Sequence, residues 1–333
     1  MKTPFEYDLI ANEKIREKIR EKLGKSKSDK LKLASELNIS DGTLYKKLNG
    51  DSKFSFGEIA YLSKKYALNL QSLVFHEKGK FNVSHAMMQN PVVTLMDYLD
   101  RLKNLALLAS SQKDTTVYYI SHELPFFYYL LDEKVAIFKL FTFARAIWRL
   151  PQFDFNTIFS FDSFNSDITE KITEVWEIYS KINTIEIWNP AIFDNTFAQI
   201  QFMLKTGLLD SQETADTLAA GLNNILSRIE SFVQSESKSP EVEKGNFILY
   251  NNPMLYTNNI ILLDSPSVQK VFAVHDNPNF FSSDDSFFYQ STMDWAYLVK
   301  KQSYSVTSGQ GNHAVEFFNT LKEKMEVFST SIG

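Results

Sequence analysis

Apolar residues in the N-terminal part of the chain recur at helical spacing, in short runs separated by polar turns. Ile15, Ile19 and Leu23 are four residues apart and therefore share one face of a helix. The run LASEL predicts a second short helix, and the motif Ser55-x-x-Glu58 has the form of a capping box at the start of a fourth. The sequence predicts five short helices in this region, with a tight turn between the second and the third.

The third predicted helix has clear start and stop signals. Ser40 can accept a hydrogen bond from a free amide of the first turn, which makes it the expected N-cap. Gly50 follows the last turn and can adopt the left-handed conformation that often ends a helix. Leu44 and Leu48 are four apart and are expected to face inward. The outward positions are then Asp41, Gly42, Thr43, Tyr45, Lys46 and Lys47.

The stretch LASELNISDGTLYKKLNG, followed by FSFGEIAYLSKKYALNLQSL, resembles the lambda-repressor-like helix-turn-helix family, also called the Cro/CI or XRE type. The resemblance covers residues 12–75 and rests on linked features: Leu33-Ala34, Ile39 in the turn, Leu44, the Asn49-Gly50 stop and Leu70-x-x-Leu73. It implies a mainly α five-helix bundle in residues 1–75 that binds double-stranded DNA. The segment 41–49 would be its recognition helix in the major groove.

The resemblance also implies which side chains would read bases. Thr43, Tyr45 and Lys46 would lie at base edges, where Lys can donate to guanine and Thr can contact a polar edge or a thymine methyl. Asp41 departs from this pattern, because an acid repels phosphate unless it accepts from a cytosine amine or stabilises the helix N-terminus. Gly42 would loosen the helix by up to ~1 kcal/mol.

Other cations of the segment would meet phosphates, which position a protein on DNA without specifying sequence. Lys47 and Lys53 are the candidates beside the recognition helix. Lys30 stands where members of the family commonly have a Gln that holds the DNA backbone, and it could hold a phosphate as a point charge. The alternative is that this N-terminal helical region binds protein instead of DNA.

The charge distribution favours a polyanionic partner for the first region only. Residues 1–80 hold 17 Lys and Arg against 11 Asp and Glu, a balance of +6. Subtraction from the chain totals of 35 and 40 leaves 18 against 29, a balance of −11 for the remainder. A basic first region on an acidic remainder indicates that only the first region meets a polyanion.

The remaining chain is expected to form a linker at 76–90, a mostly helical region at 91–235, and a small α+β unit at 246–333 with an antiparallel sheet. A long helix at 91–110 carries a seam of apolar residues at spacings of three and four. We expect this seam to pack into its own domain; a dimer contact is the alternative. The polar stretch 234–245 is the predicted second boundary.

Catalytic and metal-binding patterns are not found in the sequence. There is no Cys, and the five His are scattered, so neither a metal site nor an enzyme is expected, and no cofactor is assigned. The pair Ala220-Gly221, a candidate self-cleavage site, lies within a predicted helix. Ser121-His122-Glu123, beside a cluster of aromatic residues, weakly indicates a small-molecule effector site. We favour the alternative that the aromatic residues only form part of the hydrophobic core.

Taken as a whole, the sequence predicts a DNA-binding transcriptional regulator. Its C-terminal body would form a homodimer and could sense an unidentified small-molecule effector. With no membrane segment or secretory signal in view, we expect a cytoplasmic protein. The competing hypothesis is a scaffold, in which the helical head contacts protein and the body only associates.

Overall fold

The computed structural model describes residues 3–23, 26–66, 68, 70, 83–85, 91–307 and 312–333 of the 333-residue chain. The chain divides into two compact units, Met1–Asn82 and Val83–Gly333, which we call the head and the body. The head is organised around one cluster of buried apolar residues, and the body around two others.

Four helices account for the regular structure of the head in the residues that are described: α1 Pro4–Leu23, α2 Lys27–Glu36, α3 Asp41–Asn49 and α4 Phe56–Lys65. The predicted inward face of α1 is confirmed, because Ile15 and Ile19 are fully buried. The capping box is also present, since Ser55 and Glu58 each accept from the backbone amide of the other. The predicted fifth helix falls almost entirely on residues outside the described part of the chain.

The body contains both helices and strands. Its helices are α5 Leu95–Ser111, α6 Phe126–Tyr129, α7 Glu133–Ala146, α8 Ser166–Ser180, α9 Asp194–Lys205, α10 Gln212–Ser235, α11 Ser286–Lys301 and α12 His313–Ile332. Its strands are β1 Ser84–His85, β2 Thr116–Ser121, β3 Thr184–Trp188, β4 Phe247–Asn251, β5 Ile260–Asp264, β6 Gln269–Asp276, β7 Asn279–Ser283 and β8 Tyr304–Ser305.

The strands form one sheet in the order β1-β7-β6-β5-β2-β3-β4-β8 within the described residues. Strands β2, β3 and β4 run parallel, while every other pairing is antiparallel. The predicted antiparallel sheet is therefore wrong in part, because the sheet is mixed. The central strand β3 was not predicted at all.

The predicted division of the body at residues 234–245 is also wrong. Strands β2 and β3 come from the region predicted to be helical, yet they lie between β5 and β4 of the supposed separate unit. Backbone hydrogen bonds along these strands join the two halves in a single body. The predicted linker at 76–90 needs a correction as well, since Ser84–His85 pairs with β7.

Apolar side chains cover both faces of the sheet. The larger cluster packs helices α5 to α10 and α12 against one face, and α11 covers the other face through Tyr289, Met293 and Ala296. The predicted apolar seam of α5 is buried in the larger cluster, including Leu99 with no exposure. The seam therefore packs within its own domain, as expected, and its buried side chains do not form a surface for a dimer contact.

Candidate nucleic-acid interface

Helices α2 and α3 are joined by a tight turn whose geometry follows from its residues. Asn38 has a φ of 52°, a left-handed conformation that Asn tolerates better than most residues. The amide of Ile39 donates to the carbonyl of Ala34 at 3.0 Å, which closes the turn. Ser40 then begins α3 as its N-cap, as predicted, by accepting from the Thr43 amide at 3.2 Å.

The inner face of α3 holds the helix against the rest of the head. Leu44 and Leu48 are 2% and 6% exposed, as the spacing predicted. Gly50 ends the helix with a φ of 95°. A Cβ at Gly50 would lie 2.8 Å from the Arg16 guanidinium, and the Nε of Arg16 donates to the carbonyl of Lys47 at 3.2 Å. Arg16 thus holds the carboxyl end of α3, where its positive charge interacts favourably with the negative end of the helix dipole.

The outer face of α3 is formed by residues that helical geometry places opposite Leu44. Gly42, Tyr45, Lys46 and Asn49 are all exposed there, Tyr45 by 67%. Among the described residues, the side-chain ammonium of Lys46 has no hydrogen-bond or ion-pair partner. The structure therefore brings Tyr45 and Lys46 together on one surface, with Asn49 as a further polar side chain that the sequence reading did not single out.

The start of α3 is organised differently from the predicted set of base readers. Thr43 is half-buried, and its hydroxyl is hydrogen-bonded to the Ser40 hydroxyl at 2.8 Å. Asp41 is exposed in the first turn, where its negative charge interacts favourably with the positive end of the helix dipole. Thr43 therefore lies at the margin of the outer face, and its role at base edges stays a prediction.

Lys47 does not belong to the free surface. Its Nζ lies 3.0 Å from Glu58 Oε2 and also donates to the Lys53 carbonyl at 2.6 Å. Burial raises the pKa of the Glu58 carboxyl, but hydrogen bonds from Ser55 and Lys47 outweigh it and lower the pKa overall. Lys47 thus joins α3 to α4 and would have to leave Glu58 to meet a phosphate, so its role at phosphates stays a prediction. Helix spacing alone could not reveal a partner on another helix.

Lys53 is also engaged, although at the surface. Its Nζ is 2.7 Å from Asp8 Oδ2 and 4.6 Å from the centre of the Phe5 ring. An exposed ion pair of this kind contributes at most about 1 kcal/mol and can exchange its partner. Lys53 therefore keeps access to an anion, but it must give up Asp8 to bind one.

A groove of about 390 Å³ runs between α1, α2 and α3 beside this outer face. Its floor is apolar, and its walls carry the cations Arg20, Lys27 and Lys30. Lys27 and Lys30 have no partner among the described residues, and Arg20 makes only a long contact of 3.5 Å with Asn49. Lys30 lines this groove, and its role at the DNA backbone stays a prediction. Arg20 and Lys27 also line the groove and were not singled out from the sequence.

The sequence hint of an effector site in the body is explained by packing. His122 contacts the exposed ring of Tyr256 edge-on at 4.9 Å. The Glu123 carboxylate is held by Lys139 at 3.2 Å and by the Asn277 amide at 2.8 Å. Burial lowers the pKa of Lys139, an effect that Glu123 opposes. The aromatic cluster beside it is buried core, as favoured.

The body also buries a second acid, Glu186 of β3, and a second lysine, Lys238. Glu186 is fully buried and accepts hydrogen bonds from Tyr128 at 2.6 Å, Tyr179 at 3.1 Å and the Trp188 indole at 2.9 Å. Burial raises the pKa of Glu186, while nearby Lys238 opposes the shift. Lys238 itself donates to the Ile182 carbonyl and to Thr184. These hydrogen bonds of Glu186 and Lys238 are all made within the core.

Within the described residues, no group of His, Asp and Glu has the arrangement of a metal site. None of the described helices is long and apolar enough to cross a membrane. Comparison of the chain with family models, with characterised proteins and with solved structures finds no match.

Proposed function

We propose that this protein is a sequence-specific DNA-binding transcriptional regulator whose head places α3 in the major groove. The observation that carries the proposal is the outer face of α3, where exposed Tyr45, Lys46 and Asn49 lie beside a groove with the free cations Lys27 and Lys30. Exposed polar side chains on a helix can read base edges, and flanking cations can hold phosphates.

Local structure supports the same division of roles. Capping by Ser40 and the contact of Arg16 with the end of α3 hold the helix at both ends. A rigid helix loses little conformational entropy when it docks, so more of the contact energy remains for affinity. In this proposal Lys46 and Asn49 read bases, while Arg20, Lys27 and Lys30 hold the backbone.

The body would join two heads, because modules of this type usually read paired half-sites. The buried seam of α5 is not the contact in such a homodimer. The body is also large enough to recognise an effector in addition to forming a dimer.

The test is fluorescence anisotropy of the full-length chain on duplexes selected by that chain from a random pool, repeated over a salt series. We expect Lys30→Gln to weaken all sequences alike and to reduce the salt slope by about 0.9, the value for one phosphate contact. Lys46→Ala should instead cost about 1–3 kcal/mol on the selected duplex and much less on a scrambled one.

Two control variants make the result specific. Lys64→Gln removes an exposed, unpartnered cation of α4 that does not line the groove, and it should bind like the wild type. Lys47→Ala should lower the melting temperature, because it leaves Glu58 without its cation. If Lys46→Ala and Lys30→Gln both behave like Lys64→Gln, the DNA-binding surface is misassigned. If the wild type selects no duplex, the scaffold hypothesis is favoured.

A further inference from the structure

The groove between α1, α2 and α3 is lined by leucines as well as by cations. Leu23, Leu44 and Leu48 are buried residues of the head core that also line the groove. Leu31 of α2 lines it with 44% of its surface exposed. A phosphate of DNA would contact the cations alone and would leave these leucines against water, which is unfavourable for apolar surface. The DNA contact proposed above therefore gives the apolar part of the groove no partner.

The charges around the groove select the sign of a ligand. Three cations, Arg20, Lys27 and Lys30, line it against one acid, Asp41. Within the described residues, the ammonium groups of Lys27 and Lys30 make no hydrogen bond or ion pair, and Arg20 reaches Asn49 only at 3.5 Å. A negatively charged group can therefore bind here without breaking an ion pair, whereas a cationic ligand would be repelled.

The volume of the groove matches a small molecule. A cavity of about 150 Å³ holds benzene, with its six carbon atoms. On that scale, the 390 Å³ of the groove has room for roughly 15 non-hydrogen atoms. Ligand sites of this size are usually largely apolar, with a few polar groups that fix the orientation of the ligand. An anionic group together with an apolar body of about eight to ten carbon atoms fits within this volume.

We propose that the groove binds a small amphipathic anion, a carboxylate or a phosphate ester on an apolar body, and that this ligand competes with DNA. The apolar body lies on the leucines, and the anionic group lies among Arg20, Lys27 and Lys30. The same three cations hold the DNA backbone in the function proposed above, so the ligand and DNA exclude one another. The release of DNA by the ligand rests on that proposed function, whereas the binding of the ligand does not.

The first measurement is a calorimetric titration of the full-length chain, without DNA, with octanoate and with 4-phenylbutanoate. These two probes carry the same charge on an alkyl chain and on a ring, so they cover both shapes of apolar body. Octanamide and 4-phenylbutanamide keep the apolar bodies without the charge. They should bind about tenfold more weakly than the acids, because hydrogen bonds to a charged group contribute more than those to a neutral one. Inorganic phosphate, which lacks the apolar body, should bind more weakly than the better of the two acids.

Two variants test the two halves of the site. Lys27→Gln combined with Lys30→Gln should weaken the acids about tenfold and leave the amides unchanged, since only charge-assisted contacts are lost. Leu31→Gln should weaken acids and amides alike, because it removes apolar surface from the groove. Lys64→Gln and Leu9→Gln are the matched controls, since neither residue lines the groove and Leu9 is 44% exposed, as Leu31 is. Both controls should bind the acids like the wild type.

The second measurement adds the better acid to the full-length chain on its selected duplex, where it should release the DNA. The proposal is overturned if neither acid binds, if the amides bind as tightly as the acids, or if the control variants lose binding as the groove variants do. If both the acid and the duplex bind but the acid releases no DNA, the shared use of the cations is overturned. Binding of an acid by a chain that selects no duplex would contradict the proposed function alone, and binding of a duplex without either acid would contradict this site alone.

Discussion

At the scale of single residues, Lys238 shows how burial changes the chemistry of a side chain. It is 3% exposed, and its Nζ lies 4.5 Å from the centre of the Tyr179 ring. Burial lowers its pKa to about 7, although the nearby Glu186 carboxylate opposes the shift. A lysine in the unfolded chain stays protonated up to pH values of about 10. Between these values the unfolded state binds more protons than the folded state.

Protein stability should therefore rise with pH across this window, because the depressed pKa favours folding once the proton is lost. The stabilisation that the depressed pKa of Lys238 adds is complete above the pKa of lysine in the unfolded chain, and it is lost as the pH falls through about 7. We expect Lys238→Met to remove this dependence, which amounts to at most about 1.4 kcal/mol per pH unit. Urea unfolding of both proteins from pH 7.5 to 9.5 measures it. Parallel curves would show that Lys238 keeps an ordinary pKa.

At the scale of elements, α10 approaches the start of α7 closely enough to require a glycine. A Cβ at Gly221 would lie 2.6 Å from Val135 Cγ2 and 2.7 Å from Asp132 Oδ1. Asp132 is the N-cap of α7 and cannot move without losing its bonds to the first amides. In an ordinary helix, replacement of Gly by Ala increases the free energy of unfolding by up to about 1 kcal/mol. Here we expect a loss of about 1–3 kcal/mol from overpacking.

Chemical denaturation followed by tryptophan fluorescence measures this change, since all four Trp are in the body. Gly57→Ala is the control: it lies in α4, and a Cβ there meets nothing within 4 Å. It should leave stability unchanged or improve it, as followed by circular dichroism. A stabilised Gly221→Ala protein would contradict the close contact between α10 and Asp132.

The elements also show what sequence patterns can and cannot predict. Helices with clear caps or long apolar stripes were predicted well, such as α3 at 41–49 and α5, which was expected at 91–110 and is found at Leu95–Ser111. The strand β3 was missed because five residues are too few for a sustained period, and the buried Glu186 interrupts its apolar pattern. The order of the strands is non-local, so no pattern along the chain could show that β2 and β3 complete the C-terminal sheet.

The same limit applies to the candidate interface. The caps and inward leucines of α3 are local features, and the sequence predicted them. The pairing of Lys47 with Glu58 of α4 does not follow from the spacing along α3, and Lys27 was missed because only the fold brings it to the groove beside α3. Lys30 of α2 was named from the sequence only through the family resemblance, and local patterns did not show that Arg20 and Lys27 line the same groove.

At the scale of the whole molecule, the described residues of the head have one cluster of buried apolar side chains, and those of the body have two. The head core includes Leu62, which is fully buried, and the head has no Trp. We expect Leu62→Ala to destabilise the head by about 2–5 kcal/mol through the cavity it leaves. The melting of the body, followed by tryptophan fluorescence, should stay unchanged.

Circular dichroism at 222 nm detects helices of both units, so the variant should show an earlier loss of signal than fluorescence does. The body variant Leu222→Ala provides the reciprocal control, since Leu222 is fully buried in the larger cluster. It should lower the transition seen by fluorescence. A single transition that shifts equally with both probes in both variants would mean that the two cores unfold as one cooperative unit. Separate transitions would instead allow the basic head to be varied, residue by residue, without disturbing the acidic body.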